Sequence, residues 1–493
     1  MCGIAVILDD KAPELLDRML DAERHRGPDD RGVFVGPGCS LGHVRLSIID
    51  VAGGHQPIFS QSGDTCIVFN GEIYNFRELR RQLSHKYAFR TGTDTEVVLC
   101  MYQEDGPSFV ERLDGMFALA IYDRGQVLVA RDRIGIKPLY YGLHNGHVCF
   151  ASEYKAMMGL TDVREFPPGH LFTAAGGFSR YYDIPVSEQK VDDVDALLPL
   201  IRSELERAVV KRLVSDVPVG VFLSGGLDSS VVAALMRAHL PNLQSFAVGM
   251  AGAEDLRAAR EVAAFLGTSH FELEYDRDEM LRVLPEVIFH LESFDAPLVR
   301  SAIPGFLVSR LACRHVKVVL TGEGADELFS GYHYLKEINS PAALHQELLA
   351  ITGRLHHSNL QRTDRMTMAH SVEARVPFLD HAVIALAFSI PIELKLPSRD
   401  RPEKWLLRKA CETLLPEDII WRKKQKFSEG AGSARSIEPV AEEIISDAAF
   451  EKERAAAAVA VRSKEELLYY RLFCERFGVP ESEKLVGRTA DYN

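Results

Sequence analysis

Two separated stretches of this chain combine residue types that do chemistry together. The first is Ser224-Gly225-Gly226-Leu227-Asp228-Ser229-Ser230, where an apolar run over 217–223 breaks into small residues and apolar positions at helical spacing follow over 230–239. A strand, a tight loop and a helix start make a cradle for an anion. Glycines let the backbone come close, and the free amides of a first helical turn, with the positive end of the helix dipole, face a negative group. The spacing is not Gly-x-x-x-x-Gly-Lys-Ser/Thr, and Asp228 inside the loop would repel phosphate unless a cation lay between them; Mg²⁺ is the expected bridge. A glycine-rich turn that holds nothing is the competing reading of the spacing alone. The second stretch is Thr321-Gly322-Glu323-Gly324-Ala325-Asp326-Glu327, which follows an apolar run over 316–320. There Asp326 can share Mg²⁺ with Asp228 and Glu323 can act as a base, whereas a simple capping turn would need neither.

A third reactive feature sits at the start, Met1-Cys2-Gly3-Ile4-Ala5-Val6-Ile7-Leu8. Removal of Met1, expected before so small a residue, would leave Cys2 with both a thiol and a free α-amine. Their ordinary pKa values are about 8.5 and about 8, so near neutral pH the amine can take the thiol proton, directly or through water. Downstream, Arg45, the pair Asn70-Gly71, Glu72 and Asp94 offer a guanidinium, an amide donor with a neighbouring backbone amide, and two carboxylates. Those groups match a substrate bearing an α-carboxylate, a side-chain amide and an α-ammonium. Asn-Gly is by itself a hairpin-turn signal, and each of these motifs reads as a strand end entering a polar turn.

The elements that must position these residues differ between the two parts of the chain. Residues 13–23 are helical by pattern, and strands over 116–122 and 127–131 at hairpin spacing point to stacked antiparallel sheets. From 244 the pattern alternates: strand 244–250, helix 254–266, strand 270–275, a helix from 277, strand 316–320. Alternation of this kind builds a parallel sheet with ligands at the carboxyl ends of its strands. A charged stretch over 183–195 containing Pro185 reads as a linker, so the expected domains are 1–185 and 186–493.

Composition bounds the function. The chain has 493 residues, 46% hydrophobic and 26% charged, which is a folded protein of two to three domains. No apolar run reaches membrane-spanning length and no signal peptide is visible, so the expectation is a cytoplasmic protein without a membrane partner. A net charge of −13 argues against nucleic acid. Eight cysteines without a Cys-x-x-Cys pair suggest neither zinc nor a disulfide framework. Arg422, Lys423, Lys424 and Lys426 form a local basic cluster, either a solvated face or part of a triphosphate site.

Ser-Gly-Gly-x-Asp-Ser resembles the pyrophosphate loop of ATP pyrophosphatases, and Cys2 with the Arg45, Asn70-Gly71-Glu72 and Asp94 motifs, in this order, is similar to the class II glutamine amidotransferases. Adding Val372-Glu373-Ala374-Arg375-Val376-Pro377-Phe378-Leu379-Asp380 and Trp421-Arg422-Lys423-Lys424-Gln425-Lys426-Phe427-Ser428, nearly the whole chain resembles the glutamine-hydrolysing asparagine synthetases. The resemblance implies an α+β N-terminal nucleophile hydrolase domain of stacked antiparallel sheets between helices, followed by an α/β parallel-sheet ATP-pyrophosphatase domain. It implies Cys2 as nucleophile, Asn70 and the Gly71 amide as oxyanion hole, Arg45 as carboxylate clamp, and Glu72 with Asp94 as ammonium ligands. In the second half it implies that Leu223, Ser224, Gly225, Gly226, Asp228, Ser229, Val248, Thr321 and Gly322 contact ATP, that Asp228 and Asp326 hold Mg²⁺, that Glu323 deprotonates the attacking ammonia, and that Lys424 neutralises the adenylate's phosphate. The implied substrates are glutamine, aspartate and ATP, and a homodimer is allowed. Thr321, Ala325, Lys426 and Glu429 depart from the residues common in the family, which leaves open another carboxylate as acceptor or a silent scaffold of the same architecture. Amino-acid carboxylates need guanidinium partners, and Arg300 and Arg375 lie beside these motifs. The segment after about residue 430 carries no recognised motif.

Overall fold

The computed structural model describes residues 2–186, 193–396, 401–434, 436–478 and 488–489. Residues 187–192 of the expected linker lie outside the described residues. The chain divides into two compact units, one comprising Met1–Asp183 with Val214–Val217 and Met368–Glu373, the other the remainder.

The first unit holds twelve strands: β1 (Gly3–Ile7), β2 (Asp30–Gly36), β3 (Cys39–Arg45), β4 (Ile58–Phe59), β5 (Thr65–Ile73), β6 (Gly115–Asp123), β7 (Gln126–Arg131), β8 (Tyr140–His144), β9 (His147–Ala151), β10 (Thr161–Glu165), β11 (His170–Thr173) and β12 (Gly177–Arg180). They form two six-stranded sheets, ordered β10-β8-β9-β1-β3-β2 and β12-β11-β7-β6-β5-β4, and the pairings are antiparallel. Side chains alternate across a strand, and here both faces are apolar because both are covered. Val68, Ala118, Ala120 and Val129 of the second sheet pack with Ile4, Val6, Leu41 and Phe150 of the first. The alternate residues Ile67, Phe69, Leu119 and Ile121 pack with Val97, Leu99 and Met101 of the helix Asp94–Asp105. On the outer face of the first sheet, Ala5 and Ile7 meet Leu16, Met19 and Leu20 of the helix Pro13–Ala22. The result is helix, sheet, sheet, helix. The late segment 368–373 is stitched into this unit: the Ser371 hydroxyl donates to the His25 carbonyl at 2.7 Å.

Asn70-Gly71 lies within β5, Gly71 opposite Phe117 of β6, and the strand enters its turn at Tyr74-Asn75. A Cβ on Gly71 would stand 2.1 Å from the Met116 carbonyl oxygen, so glycine is what allows the two strands to approach there.

The second unit is built on a five-stranded sheet of order β15-β14-β13-β16-β17, with β13 (Val219–Phe222), β14 (Gln244–Met250), β15 (Ser269–Tyr275), β16 (Val318–Leu320) and β17 (Glu373–Arg375). The pairs β13/β14, β14/β15 and β13/β16 are parallel. The chain runs from β13 outward to β15, then returns to the other side of β13 as β16. That reversal opens a crevice at the carboxyl ends of β13 and β16, where the Ser224 and Thr321 loops begin. Among the described residues after 430 lie the helices Glu438–Ile444, Asp447–Ala456 and Lys464–Phe477. Among the described residues no helix is long and apolar enough to cross a membrane.

Candidate functional site

In the first unit β1 delivers Cys2 to the side of β5. The Cys2 nitrogen donates to Oδ1 of Asn70 at 3.0 Å, and the Cys2 carbonyl accepts from Nε of Arg26 at 2.9 Å. Arg26 is fixed in turn by Glu153, Nη1 to Oε1 at 2.6 Å, within a buried cluster that includes Glu23 and Lys155. Asn70 is fully buried, and with Oδ1 turned to Cys2 its Nδ2 has no partner among the described residues. A buried donor without an acceptor is costly unless something else satisfies it. Burial raises the Cys2 thiol above its ordinary pKa, while the Leu46 backbone and the Arg45 charge pull it back. The resting thiol therefore keeps its proton.

The strand before Asn70 is pinned by two side chains absent from the sequence reading. Gln56 exchanges two hydrogen bonds with Phe69, at 2.7 and 3.2 Å, and His43 Nε2 lies 3.1 Å from the Phe69 carbonyl. Burial holds the His43 ring at about 3, neutral. Arg45, at the end of β3, spreads its guanidinium over the carbonyls of Ile49, Asp50 and Val51. Asp94 opens its helix after the Thr93 cap, and its Oδ2 accepts from the Ile73 amide at 2.8 Å, which brings it one residue from Glu72. Burial lifts Asp94 to about 6 against the backbone bonds from Ile73 and Thr95.

In the second unit the two carboxylate loops converge at the floor of a cleft of about 1340 Å³. Eight of the nine expected nucleotide residues line it. Gly225 does not: with φ of +70° it turns against the helix Glu254–Leu266, where a Cβ would sit 2.5 Å from the Ala258 backbone. The Ser224 and Ser229 hydroxyls lie 3.1 Å apart and brace the loop, and the buried Thr321 hydroxyl has no partner among the described residues.

Asp228 and Asp326 are joined by a lysine that the sequence reading missed. Lys404 Nζ stands 2.5 Å from Oδ2 of Asp228 and 2.5 Å from Oδ1 of Asp326, and Lys424 Nζ lies 2.7 Å from Oδ2 of Asp326 and 3.7 Å from Asp228. Two ammonium groups of the chain thus screen Asp228, beside the Mg²⁺ expected there. Burial alone would raise Asp326, but Lys404 and Lys424 hold it far below the carboxylate range. Burial would likewise lower Lys424, and Asp326 with Asp228 hold it above the lysine range. Oδ1 of Asp228 remains buried without a hydrogen-bond partner among the described residues, so an oxygen suited to a hard cation is left over.

Higher on the wall, Glu323 accepts from Arg362 and from the Thr363 hydroxyl at 3.2 Å. Glu327 accepts from Tyr332 and from Asn359 at 3.3 Å, and burial, with the Asp326 charge, raises it to about 7. The two arginines expected at the acceptor are otherwise engaged. Arg375 is buried in β17 with Nη1 donating to the Arg212 carbonyl, and Arg300, though it lines the cleft, is bound by Glu465. Arg362 is the guanidinium beside Glu323. The basic cluster is cleft wall too: Arg422 pairs with Asp255 at 2.9 Å and Gln425 bonds Glu254.

This arrangement agrees with what the chain resembles. Residues 1–179 match the model of the glutamine amidotransferase domain, and residues 200–343 and 336–477 match that of asparagine synthase. Asparagine synthetase B [glutamine-hydrolyzing] of Escherichia coli is 38% identical over 519 residues, with 99% of this chain and 93% of that protein covered. Asparagine synthetase [glutamine-hydrolyzing] 2 of Oryza sativa is 40% identical, covering 97% and 85%. The chain belongs to the glutamine-hydrolysing asparagine synthetases. As a member of that family it is a ligase, with the expected antiparallel sandwich in the first unit and the expected parallel sheet in the second. For an asparagine synthetase, Lys404 and Arg362 are the residues the motifs did not disclose; a lone Lys after Glu403 and an Arg in the helix Asn359–Met368 carry no spacing signal.

Proposed function

We propose that this chain makes asparagine: residues 1–185 hydrolyse glutamine at Cys2, and residues 186–493 adenylate the β-carboxylate of aspartate with ATP and let the released ammonia displace AMP. The observation that carries the second half is the convergence of Asp228, Asp326, Lys404, Lys424 and the Glu323–Arg362 pair in one cleft. In the first half it is the Asn70 side chain, bonded to the Cys2 nitrogen through Oδ1 and with Nδ2 lacking a partner among the described residues.

With Met1 removed, the nitrogen held by Asn70 is the α-amine of Cys2. It takes the thiol proton as sulfur attacks the side-chain amide of glutamine, and Nδ2 of Asn70 with the Gly71 amide receives the charge on the tetrahedral oxygen. Arg45 holds the α-carboxylate and Glu72 with Asp94 the α-ammonium. Ammonia leaves, and water releases glutamate from the thioester. Arg26, holding the Cys2 carbonyl, keeps the nucleophile from swinging.

In the cleft Ser224, Gly226, Ser229 and the first turn of the following helix receive the β and γ phosphates, while Leu223, Val248, Thr321 and Gly322 take the nucleoside end. A carboxylate oxygen is a poor leaving group, so adenylation precedes amide formation. Asp228 and Asp326 would hold Mg²⁺, and the orphaned Asp228 oxygen fits that role; when bound, the ion offsets charge on the phosphates. Lys424 neutralises the phosphate of the aspartyl adenylate, and Glu323 accepts a proton from the attacking nitrogen. Arg362 and Glu327 present opposite charges to the α-carboxylate and α-ammonium of the acceptor.

Cys2→Ser separates the two chemistries. It keeps side-chain size but loses the acidic thiol, so glutamine-dependent asparagine formation should fall to background while the ammonia-dependent rate stays within about twofold of the parent. Product assayed with each nitrogen donor in turn decides it; a variant that still uses glutamine well removes Cys2 from its role.

A further inference from the structure

The segment after residue 430, silent as sequence, reaches the synthetase cleft through one buried carboxylate. Glu465 stands in the first turn of the helix Lys464–Phe477, opened by the Ser463 cap, and its side chain is 1% exposed. Both of its oxygens lie 3.0 Å from Nε of Arg300, one also accepts from Nη2, and the Tyr469 hydroxyl one helical turn later donates to Oε1 at 2.7 Å. Arg300 belongs to the helix Ala296–Ala312, the wall that also carries Ser301. Its carbonyl accepts from the Ser433 hydroxyl at 2.8 Å, and that hydroxyl lies 3.2 Å from the Ser428 carbonyl. Ser428 is four residues beyond Lys424. A continuous polar path therefore runs from the C-terminal helix, through the cleft wall, to the loop that presents Lys424.

We propose that Glu465 is a positioning residue for the synthetase reaction: by fixing Arg300 it sets the wall against which the acceptor lies and the height of the Lys424 loop. Glu465 is not part of the cleft lining, so it acts through Arg300 and touches no substrate. A buried ion pair is weak evidence for stability, since well-packed apolar residues hold a helix in place as well. What the pair adds is geometry: a guanidinium gripped by two carboxylate oxygens has one orientation, and a lysine in its place would not reproduce it. The proposal rests on the assignment of Lys424 to the adenylate.

The test uses the full-length enzyme with ammonia as donor. Glu465→Gln should lower kcat for asparagine formation about tenfold and raise KM for aspartate about tenfold, with KM for ATP and glutamine hydrolysis each within twofold of the parent. Tyr469→Phe, which removes a single bond to the same carboxylate, should show the same pattern at about threefold and serves if Glu465→Gln folds poorly. Arg300→Lys should resemble Glu465→Gln although it keeps the charge. Unchanged constants in both Glu465→Gln and Tyr469→Phe overturn the proposal, and so does a joint rise of the ATP and aspartate KM values, the mark of general damage. Lys424→Met separates the premises: if it makes asparagine at the parent rate, the assignment of Lys424 fails; if it collapses while Glu465→Gln is silent, only the role of Glu465 does.

Discussion

The two candidate sites handle charge in opposite ways. Around Cys2 the Asn70 amide meets the nitrogen, the Arg26 guanidinium meets only the carbonyl and has its charge matched by Glu153, and burial keeps the thiol protonated. In the cleft, four full charges from Asp228, Asp326, Lys404 and Lys424 stand within ion-pair distance. A thiol must stay neutral until a substrate arrives, and a dry pocket does that. A polyphosphate is charged throughout, and a site that meets it needs fixed charges already neutralised by one another, so that they neither repel nor scatter before it binds.

The largest break in this contrast should come from the cleft. Lys404→Met leaves the two carboxylates with Lys424 alone, and AMP formation should fall by about 100-fold or more, given what such charge stabilisation contributes. Glutamine hydrolysis should be untouched. Measuring AMP and glutamate separately checks both statements, and AMP formation at the parent rate would sink the role given to Lys404.

Next in size is Asn70→Ala. Losing the Nδ2 donor should lower kcat for glutamine hydrolysis about 100-fold, the scale of one oxyanion-hole donor. Ammonia-dependent synthesis should continue. A change confined to the KM for glutamine would show instead that Asn70 only binds.

The smallest effect sharpens the comparison through pH. Burial has raised Asp94 to about 6, so above that pH it is ionised and can hold the glutamine ammonium, and below it the carboxyl takes a proton and loses that hold. KM for glutamine should be flat above pH 6 and rise by up to about tenfold per unit beneath it. In Asp94→Asn it should be high and independent of pH. A flat profile in the parent from pH 5 to 7 would remove Asp94 from the ammonium site.

The elements were legible where period and punctuation agreed. Gln244–Met250 and Glu254–Leu266 coincide with the pattern read from sequence, because an apolar run and an amphipathic stretch were each bounded by breakers. The local hairpin signal of Asn70-Gly71 is overridden by pairing with β6, a contact more than forty residues away. The motif loops disclosed Asp228 and Asp326, but not Lys404, which reaches them from a segment without pattern. Arg300 and Arg362 show the limit most plainly: both are arginines that line the cleft, and only the partner, Glu465 for one and Glu323 for the other, tells how each is held there.

The stitching of segment 368–373 into the first unit has a consequence for the order in which the enzyme comes into being. Ser371 ties down the His25 carbonyl, and Glu373 is near enough to bear on both Cys2 and Asp94. At ribosomal speeds of roughly 5–20 residues per second, those residues emerge on the order of 20–70 s after Cys2 does. The surroundings of Cys2 are thus finished only when most of the second unit has been made.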